Sequence, residues 1–215
     1  MRYAVMLLFM LQSLPAPAQA PDQSRLVVQQ GGHEVGREEF TLRSSRGRGV
    51  AGSSITAAAR YPSTNPTTQL SATLERTSDG AIAKFQLDVE KDGVVTVILA
   101  AGSGVRLIVR TVGQGSESGR ELPGGPDVVL LDEQVFSLYS AVADLATPSG
   151  RTLTAVFPRS GKRATFVARR ESGGNGAPSK IALSGELTGT LATDALGRVQ
   201  RLEIPSQGLL VTRAE

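Results

Sequence analysis

A single histidine, His33, stands beside Gly31-Gly32 and next to Glu34. A serine–histidine–acid hydrolase would need that imidazole as its base. No G-x-S-x-G elbow is present to expose a serine, and nothing supplies an α/β-hydrolase scaffold. His33 therefore reads as a solvated turn residue, and one imidazole is too few for a histidine-rich metal site. Cysteine is absent, which removes thiol catalysis, iron–sulfur clusters, thiolate zinc and disulfide staples.

The carboxylates are scattered as Glu38-Glu39, Asp88 with Glu90, Asp132-Glu133, Asp194 and Glu203. Glycoside hydrolysis needs two facing acids, and residues two apart on a strand do share a face. For Asp88 and Glu90 that face is the polar, solvated one. Asp132 sits where a helix N-cap belongs. Gly102-Ser103-Gly104 and Gly113-Gln114-Gly115 are short glycine loops. A phosphate cradle must run from a strand into a helix N-terminus, and strand-like sequence follows both. Arg43, Arg46, Arg48, Arg159, Lys162, Arg163, Arg169 and Arg170 would form a patch only if gathered by the fold. With a net charge of +3, 4% aromatic residues and no tryptophan, they read as scattered surface cations rather than a nucleic-acid site. No catalytic residue, cofactor or metal is expected, and the chain does not read as an enzyme.

The elements that would position any site are mostly strands. Leu70, Ala72 and Leu74 alternate with Gln69, Ser71, Thr73 and Glu75. Ala81, Ala83, Phe85, Leu87 and Val89 alternate with polar partners, Ile82 being the exception. Period two is the signature of a half-buried strand. Asp79-Gly80 and Asp92-Gly93 fall between the runs and predict tight hairpin turns. The apolar run 94–100 predicts a strand covered on both faces. Further strands are predicted over 26–30, 37–43, 49–60, 105–112, 151–157, 162–170, 180–189, 198–204 and 209–213, with glycine-rich loops at 113–125 and 172–178. Val135, Leu138, Tyr139 and Val142 recur at helical spacing and predict one amphipathic helix near 133–146.

Arg2, the apolar stretch 4–14 and the small-residue tail through Ala16, Ala18 and Ala20 follow the order of a secretory signal peptide. The expectation is a leader over 1–20, cleaved near Ala18 or Ala20, then a single β-rich domain over 21–215. No later segment is apolar enough to span a membrane, so the mature chain is expected in the periplasm or outside the cell.

His33-Glu34-Val35-Gly36-Arg37-Glu38-Glu39-Phe40, a polar turn leading into a strand, resembles the opening of many secreted bacterial domains of unknown function. The stretch from Asp194-Ala195-Leu196-Gly197-Arg198 to Ile204-Pro205 is similar to their closing strand pair. Those domains resemble the periplasmic lipoprotein carriers. The resemblance implies a curved antiparallel half-barrel with a helix across its concave side, and apolar ligand binding. It brings no catalytic residues.

The expected fold is therefore mainly β: one strongly curved antiparallel sheet, a half-barrel or open barrel, with the helix on its concave face. A groove between sheet and helix would bind a lipid or other hydrophobic molecule. Its candidate lining is Leu70, Leu74, Phe85, Leu87, Leu107, Val109, Phe166 and Leu183. The alternative is a non-catalytic structural or interaction domain of the cell envelope, its core filled, meeting a protein partner through a strand edge or loop.

Overall fold

The computed structural model describes residues 23–45, 52–173 and 176–214. The expected leader, and Arg46 and Arg48, lie outside the described residues. Fifteen strands form one sheet. They are β1 Ser24–Gln30, β2 His33–Ser45, β3 Gly52–Tyr61, β4 Thr68–Thr77, β5 Ile82–Lys91, β6 Val94–Ser103, β7 Arg106–Gly113 and β8 Ser116–Pro123. After them come β9 Val128–Leu130, β10 Arg151–Val156, β11 Arg163–Ser172, β12 Ser179–Gly185, β13 Gly189–Thr193, β14 Val199–Ile204 and β15 Leu209–Arg213. Between β9 and β10 a 3₁₀ turn, Phe136–Tyr139, runs directly into the helix α1, Ser140–Leu145.

Spatial order follows chain order from β8 back to β1, passes to β15, and then descends to β9. Every neighbouring pair is antiparallel except β9 with β10. The sheet curls until it is nearly closed and barrel-like. The 3₁₀ turn packs on β2, β3 and β14, and α1 packs on β11 and β13. The helical crossover thus lies on the concave face, as the sequence predicts, although it occupies only 136–145.

Alternation explains which faces are buried. Leu70, Ala72 and Leu74 of β4 meet Val89, Leu87 and Phe85 of β5 across the ladder, and all six are buried. The ladder slips between Glu75 and Arg76, so that Arg76 pairs with Ile82 and Ala83 is bulged out. That bulge is the reason Ile82, the exception in the pattern, points into the core. At Asp92-Gly93 both residues have positive φ, 51° and 79°, the conformation a two-residue hairpin turn needs.

Four expectations are corrected. The loop expected over 113–125 contains β8, whose residues are nearly all exposed. An edge strand with both faces wet has no apolar alternation to read. The strand expected over 180–189 is two strands, β12 and β13, with a break at Glu186-Leu187-Thr188. The strand over 94–100 is covered on one face only: Ile98 and Ala100 are buried, while Val95 remains 49% exposed. Lastly, β9 was not expected; its three residues are all buried, and a run that short carries no period.

A buried cation, Arg76, and a half-buried one, Arg170, fasten the far end of the helix. Arg76 Nη1 donates to Ala141 O and Asp144 Oδ2, both at 3.3 Å, while its Nε and Nη2 donate to Gly80 O. Arg170 Nη2 donates to Ala143 O at 2.8 Å and to Ala146 O at 3.1 Å. The Ala143 and Ala146 carbonyls lie at the helix end, where no intrahelical donors remain for them and partial negative charge collects. Arg76→Met keeps the aliphatic packing but removes the donor to Ala141 O and Gly80 O and the cation beside Asp144. It should cost about 2–4 kcal/mol and lower the thermal midpoint by roughly 5–12 °C; a thermal scan of the purified protein checks this.

Candidate functional site

An open cleft of about 850 Å³ lies where the start of the helical crossover meets the ends of several strands. The hairpin β1–β2 contributes Val28, Gln30, Glu34 and Val35. Tyr61, Pro62, Thr67 and Thr68 come from the β3–β4 connection, and Gln207 and Leu209 from the entry to β15. The opposite wall is Glu133, Gln134 and Phe136, with Lys162 at its rim. The deeper side chains, Val28, Phe136 and Leu209, are buried in the core. The rim is polar, and its Glu133 and Lys162 pair at 3.4 Å.

The wall is unusually well fastened for an irregular segment. Asp132 is buried and accepts from Gln134 N at 2.8 Å. Arg159 binds it with both prongs, Nε to Oδ2 at 2.7 Å and Nη2 to Oδ1 at 2.8 Å. A third Arg159 nitrogen, Nη1, donates to Gln134 Oε1 at 2.9 Å. From across the cleft Tyr61 donates its hydroxyl to Gln134 O at 2.9 Å. Tyr61 can reach because its ring lies directly over Gly36 of the neighbouring strand. A Cβ at Gly36 would sit 2.1 Å from Tyr61 Cε1, so the position has room for glycine alone.

The last fastening is Glu38. Its Oε2 accepts from Phe136 N at 2.7 Å and its Oε1 from Ser137 N at 3.0 Å. A carboxylate from β2 therefore serves the free amides at the start of the crossover, the role that the sequence assigns to Asp132. Asp132 instead makes a turn and an ion pair. Only 1% of Glu38 is exposed. Burial pushes its carboxyl up to about 7; the bonds from Ser137 and Phe136 pull it down, and the nearby Asp132 charge pushes it up further. Burial likewise raises Asp132 against the pull of Arg159, and raises the Tyr61 hydroxyl.

The eight residues expected to line a groove lie elsewhere. Leu70, Leu74, Phe85, Leu87, Leu107, Val109, Phe166 and Leu183 are all buried, none more than 3% exposed, within one continuous core. None of them borders the cleft. Their alternation marks them as inward-facing, which is a statement about the sheet and not about where space remains. The cleft residues come from strand ends and turns, where periodicity gives no signal. Glu38 did leave a signal: it is two residues from Phe40 and four from Leu42, hence in phase with the inward face. His33 is exposed and is not among the cleft residues. The cations read as scattered are tied up separately, Arg159 at Asp132 and Arg170 at the helix end.

No protein-family model matches the chain, and no curated protein matches it. Among solved structures it is similar to a DUF1089 family protein from Pseudomonas aeruginosa. The two share 13% sequence identity over 91% of this chain and 97% of that one, with a TM-score of 0.44. A likeness at that level carries no functional argument.

The fit of Tyr61 over Gly36 is testable by coupling. Gly36→Ala should destabilise the protein by about 1–3 kcal/mol through the clash with the ring. Combined with Tyr61→Ala the added cost should largely vanish. Denaturant unfolding of the two single variants and the double variant measures both.

Proposed function

We propose that the protein is a non-catalytic, exported binding protein that holds a lipid or another amphiphilic molecule in the cleft between curved sheet and helix. The observation that supports this reading is the cleft itself, about 850 Å³ of open space bordering a continuous apolar core and about twice the volume of the clefts beside Leu70 and Arg76. Its apolar depth, from Val28, Val35, Tyr61, Pro62, Phe136 and Leu209, suits a hydrocarbon or ring system. Its rim amides and hydroxyls, Gln30, Thr67, Thr68, Gln134 and Gln207, suit a polar end. The resemblance to periplasmic lipoprotein carriers points the same way, and the leader-like segment 1–20 supports export. Among the described residues no helix is long and apolar enough to cross a membrane.

A second reading, a structural or interaction domain of the envelope, draws on the outer face of β6 and β7. There Val95 and Ile108 are 49% and 47% exposed. The two readings part on one experiment. The mature chain is purified from the periplasm of an expressing bacterium, extracted with organic solvent and weighed for released lipid. Binding of the fluorescent amphiphile N-phenyl-1-naphthylamine is then measured. Val35→Asp puts a charge on the apolar wall at a half-buried position and should weaken dye binding about tenfold or more, with a small change in thermal midpoint. A chain that releases no lipid and leaves the dye dark rules out the binding reading.

A further inference from the structure

We propose that Glu38 is a proton-controlled latch on the cleft, keeping the 132–137 wall shut while the carboxyl is protonated and releasing it when the carboxyl is charged. As regulation of the cleft, this rests on the ligand-binding reading; as a property of the wall, it stands alone.

The geometry sets the conditions. Glu38 is the one buried carboxylate in the described core that meets no cation: it accepts from the backbone amides of Phe136 and Ser137, with the Ser137 side chain beside it. Asp132, the other buried carboxylate, has Arg159. On its own sheet Glu38 faces Leu26 of β1 and Ala59 of β3, which bring no charge. The inward residues of β14, Leu202 and Ile204, bring none either. The ionisable groups around it are Asp132 and Arg159 from the wall and its neighbouring turn, Tyr61 from β3, and Tyr139 from the crossover. Both tyrosines are neutral and the arginine charged throughout the neutral range. Asp132 adds repulsion. A charged Glu38 therefore has amide dipoles to soften its burial but no counterion of its own.

The wall lies between Glu38 and the open cleft: Phe136, which donates to Glu38, is itself a lining residue of the cleft. Displacing the segment wets the carboxylate. Shut, the group titrates at about 7; wetted, it returns toward its ordinary 4.5. The sign follows from proton linkage: the shut state binds the proton more tightly, so it is favoured in acid. Opening becomes easier by up to tenfold per pH unit between those two values and levels off above the higher one. Acid closes the cleft and neutral to alkaline conditions loosen it.

Amide hydrogen exchange on the mature chain tests the latch. Protection at Phe136 and Ser137, corrected for the intrinsic rate, should fall at least about tenfold between roughly pH 5.5 and pH 8. Strand amides of β4 and β5 should hold steady over the same range. Glu38→Gln keeps the shape and cannot ionise, so its protection should be flat with pH. A flat profile in the native protein, or an equal slope in Glu38→Gln, overturns the proposal. If Glu38→Gln does not fold, a carbon-13 titration of the native Glu38 carboxyl decides: a midpoint near the ordinary 4.5 overturns it, and one near neutrality upholds it. Dye binding followed across the same pH range separates the two claims. A pH-dependent wall with no dye bound at any pH leaves the latch standing and removes the ligand.

Discussion

The structure depends on a short helical crossover held at both ends by side chains of the sheet. An isolated helix of this length would not form in water, because nucleation costs more than so few bonds return. Here the free amides at its start meet Glu38 and the free carbonyls at its end meet Arg76 and Arg170. At the far end the two cations complement the partial negative charge of the terminus they touch. The three residues come from β2, β4 and β11, so the crossover fixes distant parts of the sheet relative to one another. Its apolar residues, Leu138, Tyr139 and Val142 among them, then seal the middle of the concave face.

The same economy produces the cleft. A helix about 10–12 Å across cannot cover ten-residue strands that run to about 33 Å. At one end Arg76, Gly80 and the end of α1 meet and leave a smaller opening of about 420 Å³. At the other, an irregular wall pinned through Asp132, Gln134 and Glu38 leaves the larger cleft. The middle is filled by Phe85, Leu87 and Phe166.

This division also accounts for what could be read in the residues. Strands with one wet and one dry face announce themselves, so β4, β5 and the Asp92-Gly93 turn were legible, as was the helical stripe from Val135 to Val142. The edge strand β8 was not, because a strand wet on both faces looks like a loop. Nor was β9, dry on both faces and three residues long. The site was the least legible part. Tyr61, Gln134 and Gln207 are brought together by the ends of strands far apart in the chain, and only tertiary closure reveals that. Glu38 was partly legible from its phase with Phe40, but its partners at Phe136 and Ser137, nearly a hundred residues on, were not.

The order of strands has a consequence for how the chain assembles. Apart from β8 and β9, which form the two edges of the sheet, and β9 and β10, which the helical crossover joins, every sequential pair is joined by a short connection and lies side by side, and β1 with β15 is the single pairing of elements from opposite ends of the chain. Two meanders, each built from local contacts, can zip independently with little loop entropy to overcome. What remains is one long-range seam, closed down to the bond from Ala214 N to Arg25 O. The ends of the molecule thus act as its clasp, and a new opening cut at the exposed β6–β7 turn, with the old ends joined, would leave every strand beside its present neighbours.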